Sequence, residues 1–182
     1  MGVSEERLVF HDTFVGLWVR GLSGKVTPAL RDALRAEGFD IEKVLPAYPL
    51  SVWKSCLRRT AELLYPGLPA DKAYYELGAR FIAGFFETLL GRALMPVFKL
   101  LSPRRTLEKL QGSFRKGNNF SETRIEWLDE RHGRLWVNET FGHPAFCAGF
   151  LEYTSHHVTM NLAFKAAVIR VEGDGAVFDL TW

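Results

Sequence analysis

The chain is poor in the residues that most often declare a chemistry. Two cysteines, Cys56 and Cys147, are too few for a disulfide framework, and no CxxC pair is present. The opening residues MGVSEERLVF carry acids where a secretory leader needs a basic segment and then an apolar run. Together these absences predict a reducing, cytoplasmic setting. No stretch reaches the ~20 uninterrupted apolar residues of a membrane span. The longest candidate, Leu77 to Met95, is broken by Arg80, Glu87 and Arg92, and reads as a core helix. A formal net charge of +2 supplies no global field for nucleic acid or lipid, so a polyanion would need a local patch. A basic face with stacking aromatics is also missing, which argues against nucleic acid as a partner. Internal repeats, low-complexity segments, Walker loops, GxSxG elbows, GxGxxG fingerprints and HExxH motifs are absent.

What is present is the material of a folded core. The 182 residues are 47% hydrophobic, 13% aromatic and 24% charged, far from the composition of disordered chains. That length suits one domain over residues 1–182, and a chain of this size buries about 70% of its unfolded surface. The fold class expected is α+β, with an N-terminal helical layer packed on a small antiparallel sheet of about four strands from the C-terminal third.

The helical signals occupy the first part of the chain. Residues 8–22 start strand-like and pass into a short helix with Asp12 as its cap. Thr27 and Pro28 open the next helix and Gly38 closes it. Leu50 to Tyr65 reads as an amphipathic helix with a basic outer face. After the PGLP turn, Asp71 is the expected cap of a long helix running to about residue 90; a less regular stretch continues to Leu101. Ser102 and Pro103 begin a helix that GNN ends. From residue 120 the period changes to that of strands: a hairpin around ERHG, a helix opened by His143 and Pro144, and two closing strands around EGDG.

The runs LGARFIAGFFETLLGRAL, SPRRTLEKLQGSFRKGNN and HPAFCAGF, with a terminal Trp182, resemble an uncharacterised paralogous family abundant in myxobacteria. The order of helices, hairpin, CAGF helix and closing strand pair is similar to the superfamily of 4-vinyl reductase domains, haem nitric-oxide sensors and Golgi tethering subunits. That resemblance implies a small or lipid-like ligand held between helices and a twisted sheet. Val177 stands where the vinyl-reductase pattern places a cysteine, and no Tyr, Ser and Arg set of the haem-contacting kind is found. No haem, metal or other cofactor is therefore expected.

Several constellations are candidates for a site. On one continuous helix Arg80, Gly84, Glu87 and Gly91 would share a stripe opposite Phe81, Ile82, Phe85, Phe86 and Leu89. The stripe marks either a tight helix crossing with an ion pair, a solvent face, or the approach of a ligand. Lys99, Arg104, Arg105, Lys109, Arg115 and Lys116 form a basic cluster, read either as solvated surface or as a phosphate or carboxylate holder beside a helix N-terminus. Asn118 and Asn119 suit a turn, with Arg115 and Asn119 as ligand donors should they point inward. Cys147, His143, His156 and His157 have neither zinc nor nucleophile spacing, and no catalytic residue is assigned. The aromatic load, including Phe85 and Phe146, ranks first a non-catalytic module for a small or lipid-like ligand, sensory or regulatory in role. An interaction or scaffold domain acting as a homodimer ranks second, and an enzyme of unknown class last.

Overall fold

A computed structural model describes residues 6–182, so the leader reading rests in part on residues outside the described ones. Strand β1 (Leu8–Phe10) pairs antiparallel with β2 (Ala47–Pro49) and runs into α1 (His11–Phe14), continued by a π-helix over Val15–Gly21. Asp12 lies in the first turn of α1 and caps nothing. The N–H groups of Phe10 and His11 instead donate to the carbonyls of Gly117 at 2.8 Å and Pro46 at 2.9 Å, so distant backbone does the work of a capping side chain. Helix α2 (Pro28–Ala36) follows the sequence closely: Thr27 Oγ1 accepts from the Leu30 N–H at 3.2 Å, and Gly38 turns the chain away at φ 96°.

Helix α3 (Leu50–Leu64) buries Trp53, Cys56, Leu57 and Thr60, and the Thr60 hydroxyl accepts from Trp18 Nε1 at 2.9 Å. Helix α4 begins at Ala70, with Pro69 before it and Asp71 in its first turn, and ends at Phe85. The expected continuous helix to residue 90 is thus corrected: α5 (Leu89–Lys99) starts at an angle of 96° to α4. Thr88 makes the break, because its hydroxyl donates to the Phe85 carbonyl at 2.8 Å and accepts from the Gly91 N–H at 3.1 Å. One side chain thereby ends one helix and starts the next. Gly91 is required there, since a Cβ would stand 1.9 Å from the Phe85 carbonyl oxygen. Taken singly, no helix among the described residues is long and apolar enough to cross a membrane. Helices α6 (Pro103–Glu108, capped by Ser102) and α7 (Leu110–Phe114) complete the helical part of the fold before the sheet.

The C-terminal part forms the expected four-stranded antiparallel sheet, in the order β3 (Thr123–Trp127), β4 (His132–Val137), β6 (Gly175–Thr181), β5 (Lys165–Glu172). Register pairs Leu135 with Phe178, Val137 with Ala176 and Gly133 with Leu180, which places all six on the buried face. Helix α8 (Pro144–His157) joins β4 to β5 and packs along α4. Two glycines let these helices meet: a Cβ on Gly78 would lie 2.0 Å from the Phe146 carbonyl oxygen, and one on Gly149 would lie 2.1 Å from that of Tyr75. Tyr75 then donates to Glu152 at 2.6 Å, and Glu152 also accepts from the Ala166 N–H at 2.9 Å, tying α4, α8 and β5 together. Burial, and after it this carboxylate, push the Tyr75 hydroxyl up, so it stays a donor.

The opposite flank of α4 meets the π-helix just as closely. A Cβ on Gly84 would stand 2.0 Å from the Gly16 carbonyl oxygen, and one on Gly21 would stand 2.1 Å from that of Arg80. Gly84→Ala is therefore expected to lower stability by about 2 kcal/mol or more, the scale of overpacking against backbone that cannot shift. Gly112→Ala in α7, where nothing lies within 4 Å, is expected to raise it by about 0.5–1 kcal/mol. Helix propensity alone predicts a gain at both sites, so denaturant midpoints of opposite sign separate the two effects. Burial likewise sets the thiols: it pushes Cys56 up to about 12 and raises Cys147 as well. Neither is expected to react with a disulfide reagent at pH 8 in the native chain, while both react after unfolding; prompt labelling of the native protein would contradict this burial.

Candidate functional site

A cavity of about 90 Å³ lies where α4, α5, α6, α7 and α8 converge. Phe81, Ile82 and Phe85 come from α4, Leu94 and Phe98 from α5, and Thr106, Leu107, Leu110 and Phe114 from α6 and α7. Phe146, Phe150 and Leu151 of α8, Phe141 and Phe164 of the adjoining loops, and Trp53 of α3 close it. A cavity needs only about 10–15 Å³ to hold one water, whereas pockets for drug-sized ligands begin near ~300 Å³. The space thus suits a guest of about one ring, and its walls favour an apolar one.

The polar atoms in the wall are almost all committed elsewhere. Thr13, Thr106, Ser113 and Thr154 donate to the carbonyls of Gly117, Ser102, Lys109 and Phe150 at 2.7–3.1 Å. Asn118 Oδ1 accepts from the N–H groups of Phe120 and Ser121, and its Nδ2 donates to the Phe114 carbonyl. Two are not: the Ser155 hydroxyl makes no hydrogen bond among the described residues, and Trp53 is wholly buried with its Nε1 unpartnered. Its ring is met edge-on by Phe14, Trp18, Phe81, Phe141 and Phe146, which fixes its plane and leaves the donor unsatisfied. A buried N–H without an acceptor costs about 1–3 kcal/mol.

Phe141 is held in place by an ion cluster. Its φ of 59° is unusual for a bulky residue, and its N–H donates to Glu139 Oε1 at 2.8 Å. The other oxygen of the buried Glu139 meets Arg7 at 2.9 Å and Lys54 at 3.0 Å. Charge pairing around Glu139 thus holds one aromatic wall of the cavity in a left-handed backbone.

Of the residues singled out from sequence, Phe85 and Phe146 line this cavity. The polar ones lie elsewhere. Arg80 lies outside the cavity near the Tyr65 hydroxyl, and Glu87 is exposed in the turn between α4 and α5. No ion pair joins them among the described residues, because the helix break removes the shared stripe. Arg104 pairs with Glu108 at 3.5 Å and stacks over Trp127 at 4.5 Å; Arg105 is exposed. Arg115 donates to the backbone carbonyl of Asn119. The side chain of Asn119 holds β1, accepting from the Leu8 N–H and donating to the Glu6 carbonyl, each at 2.8 Å. Sequence reasoning missed Trp53 as an orphan donor, and no local signal marks it. Among the described residues there is also no group of three or more His, Cys, Asp or Glu placed to hold a metal ion.

The fold is shared with solved H-NOX proteins. The Fe(II) unliganded H-NOX mutant from K. algicida is 13% identical, with a TM-score of 0.67 over 94% of this chain and 95% of that one. An H-NOX mutant from T. tengcongensis is 14% identical, with a TM-score of 0.63 over 93% of this chain and 94% of that one. An oxygen-binding H-NOX domain related to soluble guanylate cyclases, solved as its oxygen complex, is 13% identical with a TM-score of 0.60, covering 93% and 92%. At these identities the likeness is one of fold. Haem iron needs an axial His, Cys, Met or Tyr, and none of these residue types lines the cavity. His156, near it in sequence, spends Nε2 on the Phe164 carbonyl at 2.9 Å. The donor set therefore does not fit haem. No curated protein matches the chain by sequence. The family signature described as a protein of unknown function, DUF2378, does match, over residues 7–182, and the chain belongs to that family.

Proposed function

We propose that this chain is a non-catalytic, sensory or regulatory module that holds one small, mostly apolar molecule in the cavity among its helices. The observation that carries the reading is the wholly buried, unpartnered donor Trp53 Nε1 in a mostly aromatic wall, where Ser155 adds a second hydroxyl without a partner and most other polar side chains are satisfied. Phe85 and Phe146 pack against the guest, and one acceptor on the guest relieves Trp53. The likeness of element order to 4-vinyl reductase domains and Golgi tethering subunits, which place ligands between helices and sheet, supports the same reading. The basic residues Arg104, Arg105 and Arg115, with Arg80, Glu87 and Asn119, belong to the surface of this module rather than to its guest site.

The ligand chemistry follows from size and donor. Cyclohexanone carries one acceptor on an apolar ring; methylcyclohexane matches it in size and has none. Cyclohexanone is expected to bind roughly three- to tenfold more tightly, the worth of one hydrogen bond. At a hundredfold excess over its Kd it should stabilise the fold by about 2.7 kcal/mol, which is a rise of about 5–10 °C in the melting midpoint. Leu107→Phe, which fills the cavity, is expected to keep or raise the midpoint of the free chain and to abolish the response. A midpoint that ignores both compounds, in a chain that Leu107→Phe leaves unchanged, means that no guest site exists there.

A further inference from the structure

Helix α5 is apolar on two opposite sides. Its inner side carries Leu94 and Phe98 to the cavity, and Phe98 joins Phe85, Phe86 and Val158 in a small cluster separate from the main core. At 100° per residue, Leu89, Ala93, Pro96, Val97 and the following Leu100 fall on an outer arc about 100° wide. Leu89 is 88% exposed, Leu100 86% and Val97 48%. Large apolar side chains this exposed along one arc ordinarily mark a face that is covered.

Arg92 and Lys99 run along one edge of this arc, seven residues apart, exposed, and neither has an ion-pair partner among the described residues. The acids of the surrounding sequence are Glu87 and Glu108, and Glu108 is taken by Arg104. Just beyond Val158, which packs under α5, Met160 stands 75% exposed on a left-handed backbone of φ 56°, and Leu162 is 74% exposed. The neighbourhood therefore offers large apolar side chains and uncompensated cations together.

We propose that the outer side of α5 docks flat on an anionic lipid surface, with Leu89, Val97 and Leu100 in the acyl boundary and Arg92 and Lys99 at the headgroups. Charge decides between this and a second copy of the chain. An antiparallel two-fold pairing of α5 brings both cationic edges to the same side, and a parallel one sets each against an apolar edge. Since α5 carries no acid, neither pairing sets one from the helix itself against these cations. A bilayer rich in acidic lipid supplies the countercharge and the apolar depth at once.

The test uses the whole chain in co-sedimentation with vesicles of phosphatidylcholine alone, or with about 30% phosphatidylglycerol. Binding to the acidic vesicles is expected, about tenfold or more above that to the neutral ones, and weakened at about 0.5 M salt. Leu89→Gln with Leu100→Gln, and separately Arg92→Gln with Lys99→Gln, should each lower it by about tenfold or more. All four positions are exposed, and an unchanged melting midpoint shows that each variant keeps its fold. A chain that stays in the supernatant with both vesicle types overturns the proposal. So does equal, salt-insensitive binding to both. A dimer in light scattering that Leu89→Gln with Leu100→Gln dissociates assigns the face to a second copy and equally overturns it.

Discussion

The architecture depends on how closely backbone approaches backbone on the two flanks of α4. Gly84 meets Gly16 and Gly21 on one flank; Gly78 and Gly149 bring α8 against the other. At such distances no side chain can stand between the elements, so α4 is clamped without any bulk of its own at the crossings. Its large residues must then project elsewhere, and Phe81, Ile82 and Phe85 project to the cavity. The same glycines that cost helix propensity thus fix the space in which a ligand can sit. Close packing at the crossings and a void beside them are two consequences of one constraint.

Much of this organisation was legible in the residues. Caps with a local signature, Thr27–Pro28, Ser102–Pro103 and His143–Pro144, gave helix starts where they stand, and the change to strand period after residue 120 gave the sheet. Where the deciding contact is distant, the reading went astray: α1 is capped by carbonyls of residues 46 and 117, not by Asp12. The break between α4 and α5 was local and still missed, because an apolar run hides Thr88, whose hydroxyl serves both helices. The site divides in the same way. Aromatic residues on a helical stripe point inward for reasons visible in their spacing, which is why Phe85 and Phe146 reach the cavity. Polar and charged residues had no such constraint: Arg115 and Asn119 spend their hydrogen bonds on neighbouring chain, and Arg80 lies outside the cavity. An orphan donor such as Trp53 Nε1 is invisible in sequence, since it is defined by the absence of an acceptor in three dimensions.

The comparison with H-NOX proteins shows how little a shared fold fixes about chemistry. Helices over a four-stranded sheet enclose a volume, and the side chains facing it decide what enters. A haem pocket has to supply an iron ligand and room for a macrocycle. Here the wall supplies aromatic edges, one free N–H and about 90 Å³. The histidines lie on other faces: His132 is paired with Asp179 at 2.8 Å, His143 is stacked on Tyr74, and His157 on Tyr153. Each has a local partner that accounts for its position without a metal.

Helix α5 is the thinnest part of the enclosure. The clamp on α4 rests on backbone contacts along its two flanks, whereas α5 is held by Thr88 at one end and by the small cluster of Phe85, Phe86, Phe98 and Val158 beneath it. Segments with few buried apolar contacts open at lower free energy than the core they cover. Leu94 and Phe98 face the cavity while Val97 and Leu100 face outward, so a displacement of this one helix by a few ångströms joins the two sides. The one helix thus carries both the inner contacts to the cavity and the exposed outer arc. Were both sides occupied, any coupling between the two occupants would be reciprocal by thermodynamic linkage.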